Sequence, residues 1–482
     1  AIRRQRQMCI RDSNRTISMM DSIKSRIHRR VNLDNIRLRR MVYRSNYPEL
    51  RFKNIIIDGA NTQQQAYIKK EFHKSDNKEF SYEDLKQGYF RLLSDNMISE
   101  IIPHAIYNPE DDTYDLHLKV KLENNFAVRL GGNISTSNSN QIYLGLSYQD
   151  LNYYAKEFVF DGQLGKVYNN AQFMAKIDFS TAIPTSYRFI ASISTFDYFK
   201  KDKLFSRNDK PAFNQKDERF LKLQVGLPFL SSKRAEFGIG IARIEDKYFQ
   251  KSVIDFGNDK FDKSRYDLFG GSISFNGSTL NSRQYPTRGY REALIAQIFI
   301  GRERFYPGES ATGNNNKEHH SWLQLSYMKE KYHNMSEHWV LGWYLKALYA
   351  SKNFSENYTA TMMQAGEFSP TQHSKLTYNE AFRANQFVGA GIRPIYRLNQ
   401  MFHLRGEFYG FMPIYPIERN SLNKAYYGKA FSKFEYLGEI SVVCQLPFGD
   451  ISAYVNHYSS PKREWNVGLS IGWQLFNYRF IE

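Results

Sequence analysis

The stretch Trp465-Asn-Val-Gly-Leu-Ser-Ile-Gly-Trp-Gln-Leu475 decides the fold. Trp465, Val467, Leu469, Ile471, Trp473 and Leu475 point one way, while Asn466, Gly468, Ser470, Gly472 and Gln474 point the other. That is the period of two of an extended strand. Trp339, Leu341, Trp343, Leu345, Ala347 and Tyr349 repeat it. So do Phe402, Leu404, Gly406, Phe408, Gly410 and Met412, set against His403, Arg405, Glu407 and Tyr409. From Phe126 onward the helical period is gone, and sixteen such segments of roughly ten to seventeen residues follow one another.

A ladder of half-apolar strands suits either a soluble sandwich or a membrane barrel, and connection lengths separate the two. The segments expected as strands 6 and 7 are joined by Ser231–Arg234, strands 10 and 11 by His333–Ser336, and strands 14 and 15 by Phe448-Gly449. Strands 5 and 6 are joined by Asp197–Lys216, and strands 11 and 12 by the thirty or so residues of Lys352–Phe382. Every long connection leads from an odd strand to the next even one, so all long loops fall at one end, as in a bacterial outer-membrane barrel. Composition agrees. Of 482 residues 16% are aromatic, 34 Tyr and 36 Phe among them, yet mean hydropathy is −0.59 and no run approaches the ~18 apolar residues of a membrane helix. The net charge of +17 is scattered over loops and strand ends, which argues against a nucleic-acid partner. Cys9 and Cys444 are the only cysteines, too few for a disulfide framework or a cysteine metal site.

Ahead of the ladder the pattern changes. Met8–Ser13 (MCIRDS) resembles the translation of a sequencing-library adapter, so residues 1–13 are expected to be non-native. Residues 14–50 form a basic helical linker, or the end of a lost upstream domain. There Ile17, Met20, Ile23, Ile27 and Val31 recur at helical spacing, and the expected role is packing on a neighbour, with a membrane-surface helix as the alternative. Residues 51–124 order as β-α-α-β-β, a three-stranded sheet with two helices on one face. The turn Asp58-Gly59 closes the first strand, and Ser81-Tyr-Glu-Asp84 has the form of a helix-capping box. The expected class is therefore mainly β: one small α+β domain, then a sixteen-stranded antiparallel transmembrane barrel over 125–482.

A β-α-α-β-β unit feeding sixteen strands resembles the Omp85 superfamily, in which a polypeptide-transport-associated (POTRA) domain precedes an assembly or translocation barrel. Lys352–Phe382 then corresponds to the sixth outward loop, which in that family folds into the lumen and carries an Arg held by an acidic wall residue. The matching stretch is Ala381-Phe-Arg-Ala-Asn385, with Ala where the family has Gly. Tyr285-Pro-Thr-Arg-Gly-Tyr290 is similar to the Pro-Thr-Arg-Gly motif that opens a mid-barrel strand, here Pro286, Thr287, Arg288 and Gly289. A narrower likeness, carried by Gly131-Gly-Asn-Ile-Ser-Thr136, Phe90-Arg-Leu-Leu-Ser-Asp95, Ile101–Tyr107 and Phe382–Asn385, is to the C-terminal part of patatin-like phospholipases with a fused POTRA domain and barrel.

The resemblance implies that Arg383 enters the lumen, and strand parity offers Glu407 or Glu439 as its partner. It also implies a weak seam between strands 1 and 16, where Gly131-Gly132 lies. No catalytic constellation is present. There is no G-x-S-x-G; Gly270-Gly-Ser-Ile-Ser274 lacks the last Gly and sits in mid-strand, and Asp58-Gly59-Ala60 is a turn rather than half of a Ser–Asp dyad. Adjacent His319 and His320 face opposite sides of a strand and cannot ligate one metal together. No cofactor is implied. The expected location is a Gram-negative outer membrane with the POTRA domain in the periplasm. The expected partners are outer-membrane lipid and lipopolysaccharide, extended polypeptide at the POTRA edge, and the chain's own upstream hydrolase domain, with a homodimer left open. The expected role is to anchor and export that domain. The alternatives are an assembly or secretion factor for separate polypeptides, a passive pore or adhesin, and a soluble basic all-β binding protein.

Overall fold

The computed structural model describes residues 12–27, 32–45, 50–72, 79–93, 97–137, 140–179, 183–199, 213–229, 233–250, 260–309, 311, 314–460 and 465–482. Cys9, Val31, residues 231–232 of the expected turn and most of Asp197–Lys216 lie outside them. The basic segment is helical, with α1 at Met20–Arg26 and α2 at Leu33–Ser45. Ile17, Met20, Ile23 and Ile27 are nonetheless exposed. The expected packing on a neighbour is not found, because no described segment lies against the apolar stripe.

The small domain runs β1 (Arg51–Asp58), α3 (Thr62–Phe72), β2 (Phe80–Ser81), α4 (Tyr82–Leu93), β3 (Ile98–Asn108) and β4 (Thr113–Leu122). Its sheet has four strands rather than three, in the order β2-β1-β4-β3, because Phe80 and Ser81 pair antiparallel with Phe52 and Arg51. Phe52, Ile55 and Ile57 of β1 and Leu116, Leu118 and Val120 of β4 bury against Ile68, Phe72 and Leu92 of the helices. Gly59 has φ +88°, and a Cβ there would stand 2.1 Å from the Val120 carbonyl oxygen, so the Asp58-Gly59-Ala60 turn requires glycine. The capping box forms as read: the Ser81 amide and hydroxyl donate to the Asp84 carboxylate at 3.0 and 2.7 Å, and the Asp84 amide donates to the Ser81 hydroxyl at 3.3 Å.

Sixteen antiparallel strands close into a barrel. They begin with β5 (Phe126–Ser135), β6 (Gln141–Leu151), β7 (Ala155–Gly165) and β8 (Tyr168–Phe179). Next come β9 (Thr185–Phe199), β10 (Phe213–Phe229), β11 (Lys233–Tyr248), β12 (Asp262–Ser278), β13 (Gly289–Tyr306), β14 (Asn316–Asn334) and β15 (Trp339–Ala350). The loop after β15 carries α5 (Tyr358–Gln364), β16 (Gly366–Glu367) and β17 (Arg383–Ala384). The wall resumes with β18 (Gln386–Arg397) and β19 (Phe402–Pro413). After a surface hairpin of β20 (Ile417–Arg419) and β21 (Ala425–Tyr427), it ends with β22 (Glu435–Leu446), β23 (Gly449–Tyr458) and β24 (Trp465–Gly472). Exterior positions are apolar and exposed, as in Phe237, Ile239 and Ile241 of β11 or Phe402, Leu404 and Phe408 of β19. Inward positions of β19 are the buried His403, Arg405, Glu407 and Tyr409. An apolar outer surface around a polar, filled interior is the inverse of a soluble core and is stable only against lipid.

The last strand departs from its sequence pattern. Alternation extends to Leu475, but β24 leaves the wall at Gly472, whose φ of +115° turns the chain inward. The Trp473 amide donates to the Gly132 carbonyl at 2.7 Å, and the ten residues Trp473–Glu482 cross the lumen. They find partners there. The Leu475 amide donates to Gln141, Asn477 reaches Asn170, and the Phe480 ring sits among Phe220, Phe299 and Trp322. Only three residue pairs therefore close β24 on β5, from Ser470↔Ser135 to Gly472↔Asn133, whereas β13 and β14 pair at seventeen positions.

Cysteines placed at Ser135 and Ser470, which face one another in register, should form a disulfide under mild oxidant, within the usual reach of such a pair. A non-reducing gel reads it, and failure to cross-link would contradict the register at the seam. In the small domain, the Ser81 amide and then its hydroxyl hold the Asp84 carboxyl below its ordinary value. The cap's contribution should be present above the ordinary Asp range and fade as pH falls through the lowered value. Asp84→Ala should cost that domain about 1 kcal/mol at neutral pH in urea unfolding.

Candidate functional site: the lumenal lock

Three inserts fill the barrel: the loop after β15, the tail after β24, and the turn between β12 and β13. The loop is held at its start by Lys352, whose ammonium lies over the Trp322 and Tyr266 rings at 4.6 and 5.3 Å. Asn357 caps α5 by accepting from the Ala360 amide at 2.9 Å, and its amide group donates to the Tyr248 hydroxyl at 2.6 Å. At the other end of this short helix, Gln364 donates to Asp246 at 2.6 Å. Phe368 and Phe382 pack with Phe387, Tyr409, Phe411 and Leu437 of the wall. Gly389 faces inward and makes the seat: a Cβ there would lie 2.2 Å from the Phe368 ring.

Arg383 is buried inside the lumen, but its partner is neither Glu407 nor Glu439. Its guanidinium pairs with Glu367 at 2.7 Å across the β16–β17 ladder and donates to the carbonyls of Met362, Met363 and Ala365 at 3.3–3.4 Å. Those carbonyls end α5, where a cation complements the helix dipole. Arg383 thus folds the loop onto itself instead of tying it to the wall. The physical reason is register. Glu407 and Glu439 stand directly opposite each other on β19 and β22, where like charges repel, so each carries its own partner.

Glu407 pairs with Arg405 on its own strand, accepts the Tyr409 hydroxyl and lies 3.7 Å from Arg393. Glu439 accepts from His373 of the loop at 2.9 Å, so it does hold the plug, through a residue the sequence did not single out. Arg393 pairs with Glu330, donates to the Tyr409 hydroxyl at 2.6 Å and reaches the loop carbonyl of Pro370 at 3.2 Å. Arg405 donates to the Tyr332 hydroxyl at 3.0 Å and to the carbonyl of Pro286 at 2.8 Å. One buried network of Arg393, Arg405, Glu330, Glu407, Tyr332 and Tyr409 therefore grips the loop from one side and the turn from the other. Inward parity on β14 and β18 was the available signal for Glu330 and Arg393, while nothing local marked Glu367 or His373.

The Pro286–Gly289 motif builds the turn. Asn281 accepts the amides of Thr287 and Arg288, both at 2.9 Å, and Gly289 at φ +90° brings its backbone against Thr279, where a Cβ would meet the carbonyl oxygen at 2.1 Å. Tyr285 dips inward to donate to the Ser452 hydroxyl at 2.9 Å. At the seam, Gly132 has φ +145°, and a Cβ there would lie 2.1 Å from the Gln141 carbonyl oxygen, so it is required where β5 bends toward β6. Gly131 meets only ordinary contacts. His320 faces inward against Glu303 at 2.8 Å, with Glu318 near. Glu303 also accepts the Tyr266 hydroxyl at 3.0 Å, which joins His320, Glu303 and Tyr266 in one buried hydrogen-bonded cluster.

No protein-family model matches the sequence, and no curated protein matches it. Solved structures do. BamA of Haemophilus ducreyi lacking POTRA domains 1–3 aligns with 88% of this chain and 84% of its own at TM-score 0.59 and 13% identity. CdiB of Acinetobacter baumannii (9% identity) and of Escherichia coli (11%) each align with 88% of this chain at TM-score 0.51, covering 74% and 76% of their own. At these identities the likeness is one of fold. With its closed sixteen-stranded wall and apolar exterior, the chain has the architecture of a Gram-negative outer-membrane barrel.

Breaking a buried pair by removing one partner typically costs 3–5 kcal/mol. Arg383→Ala and Glu367→Ala should each raise protease cleavage within the loop, and the double variant should be no worse than either single one. Glu439→Gln should loosen the loop additively with Arg383→Ala. Additivity between Arg383 and Glu367 would reject their pairing.

Proposed function

We propose that this chain is the export-and-anchor module of a larger outer-membrane protein of Omp85 type, with a POTRA domain and a barrel that together carry a patatin-like lipolytic domain fused ahead of them. The observation that bears most on it is the combination of a plugged lumen with a three-pair seam. An open pore has no use for a loop, a turn and a tail packed together inside it. A barrel that opens sideways needs one closure far weaker than the other fifteen. β5 keeps its edge from Phe126 to Gly131 without a β24 partner among the described residues, ready to receive a strand.

The small domain supports the same reading. β3 is an edge strand with Ile102, Ile106 and Tyr107 exposed, which suits capture of extended polypeptide by strand addition. The alignment with BamA covers more of the chain than the barrel alone, so it reaches into this domain. The lipolytic fusion rests on the sequence likeness at Gly131–Thr136, Phe90–Asp95 and Phe382–Asn385. The second reading, an assembly or secretion factor for separate polypeptides, draws on the same seam and edge and differs only in the cargo.

With the Ser135–Ser470 disulfide closed, a reporter domain fused before Arg51 should stay shielded from protease added to whole cells, and reductant should restore its exposure. Export undiminished with the seam locked would rule out lateral passage. A G-x-S-x-G motif upstream in a longer copy of the coding sequence supports the fusion; its absence favours the separate-polypeptide factor.

A further inference from the structure

The loop and the turn meet the barrel wall around a lumenal cavity of about 90 Å³, whose charges do not balance. Five cations line it, Arg283, Arg291, Lys375, Arg393 and Arg405, against two carboxylates, Glu330 and Glu407. Both carboxylates are already used: Glu330 pairs with Arg393, and Glu407 pairs with Arg405 and accepts the Tyr409 hydroxyl. Arg283, Arg291 and Lys375 have no carboxylate within ion-pair distance among the described residues. The Lys375 ammonium donates to the Gln372 side chain at 3.0 Å and lies 5.9 Å from the Phe476 ring centre, contacts that orient it without cancelling its charge.

The three unmatched cations come from three separate pieces of chain. Arg283 belongs to the turn between β12 and β13, Arg291 points inward from β13, and Lys375 sits on the loop after β15. Like charges gathered in a confined space repel one another, so this excess costs stability unless a counter-charge enters. Arg283 and Arg291 remain open to lumenal water, so an ion can reach them. That space holds a compact tetrahedral oxyanion. Two guanidinium forks and an ammonium are the donor set that binds such an ion best.

We propose that this cavity is a binding site for a free oxyanion of the inorganic phosphate class, which bridges Lys375 of the loop, Arg283 of the turn and Arg291 of the wall. Bound, it pins the plug to both. Released, it leaves three like charges that push loop, turn and wall apart. The site does not depend on the export reading, since it would tighten the plug in any barrel with this interior.

The test uses the full chain in a zwitterionic detergent, with phosphate replacing chloride at constant ionic strength and cleavage of the loop by protease as the readout. Cleavage should slow saturably with phosphate, and sulfate should act similarly. Arg291→Gln combined with Lys375→Gln should shift half-protection to at least ten-fold more phosphate, and heat-modifiable gel mobility should show that its barrel has formed. If that double variant does not fold, the solvent-open Arg283→Gln carries the same expectation. Equal cleavage in chloride and phosphate, or unchanged phosphate protection in the variants, overturns the proposal. So does protection by anionic lipid without free phosphate, which would assign the charge excess to headgroups.

Discussion

A barrel of sixteen strands encloses more space than inward side chains alone can fill, and everything inside this one follows from that constraint. The wall presents Arg393, Arg405, Glu330 and Glu407 to a confined interior, where an unmatched charge or an unpaired donor is expensive. The network joining them is complete only because Pro286 and Pro370 supply carbonyls from the turn and the loop. Wall and inserts therefore stabilise one another, and neither satisfies its polar groups alone.

The seam is the other side of the same constraint. Had β24 continued down β5, Trp473 and Leu475 would have joined the lipid face and the closure would have been ordinary. Instead Gly472 turns the chain, and the tail exchanges wall pairing for lumenal partners at Gln141, Asn170 and the Phe480 pocket. Filling the interior thus weakens one edge of the sheet. Plug and seam are coupled through the tail, because Gln474 of the tail and Gln372 of the loop both bond to Gln284 of the turn.

Much of the architecture was legible in residue order. Period-two alternation fixed the strand number, and the sorting of long and short loops fixed the barrel. Parity correctly turned Glu407 and Glu439 inward. The lock was misassigned because parity gives the face of a strand but not which inward charge meets which. Glu407 and Glu439 oppose one another in register, a fact of pairing between strands that are not directly joined by a short turn. The partner of Arg383, Glu367, lies inside the same loop, where no period exists to read.

By itself the sequence determined the elements and their orientation: sixteen amphipathic strands, a small α+β domain with its Ser81–Asp84 cap, and a long loop ending at Arg383. These are properties of local backbone preference and of side chains two or four residues apart. Only the tertiary structure decided where β24 ends, which acids hold which bases, and that loop, turn and wall leave an unbalanced cationic cavity between them. Each of those outcomes depends on groups from distant parts of the chain competing for the same enclosed space, and that competition is settled by closure of the barrel.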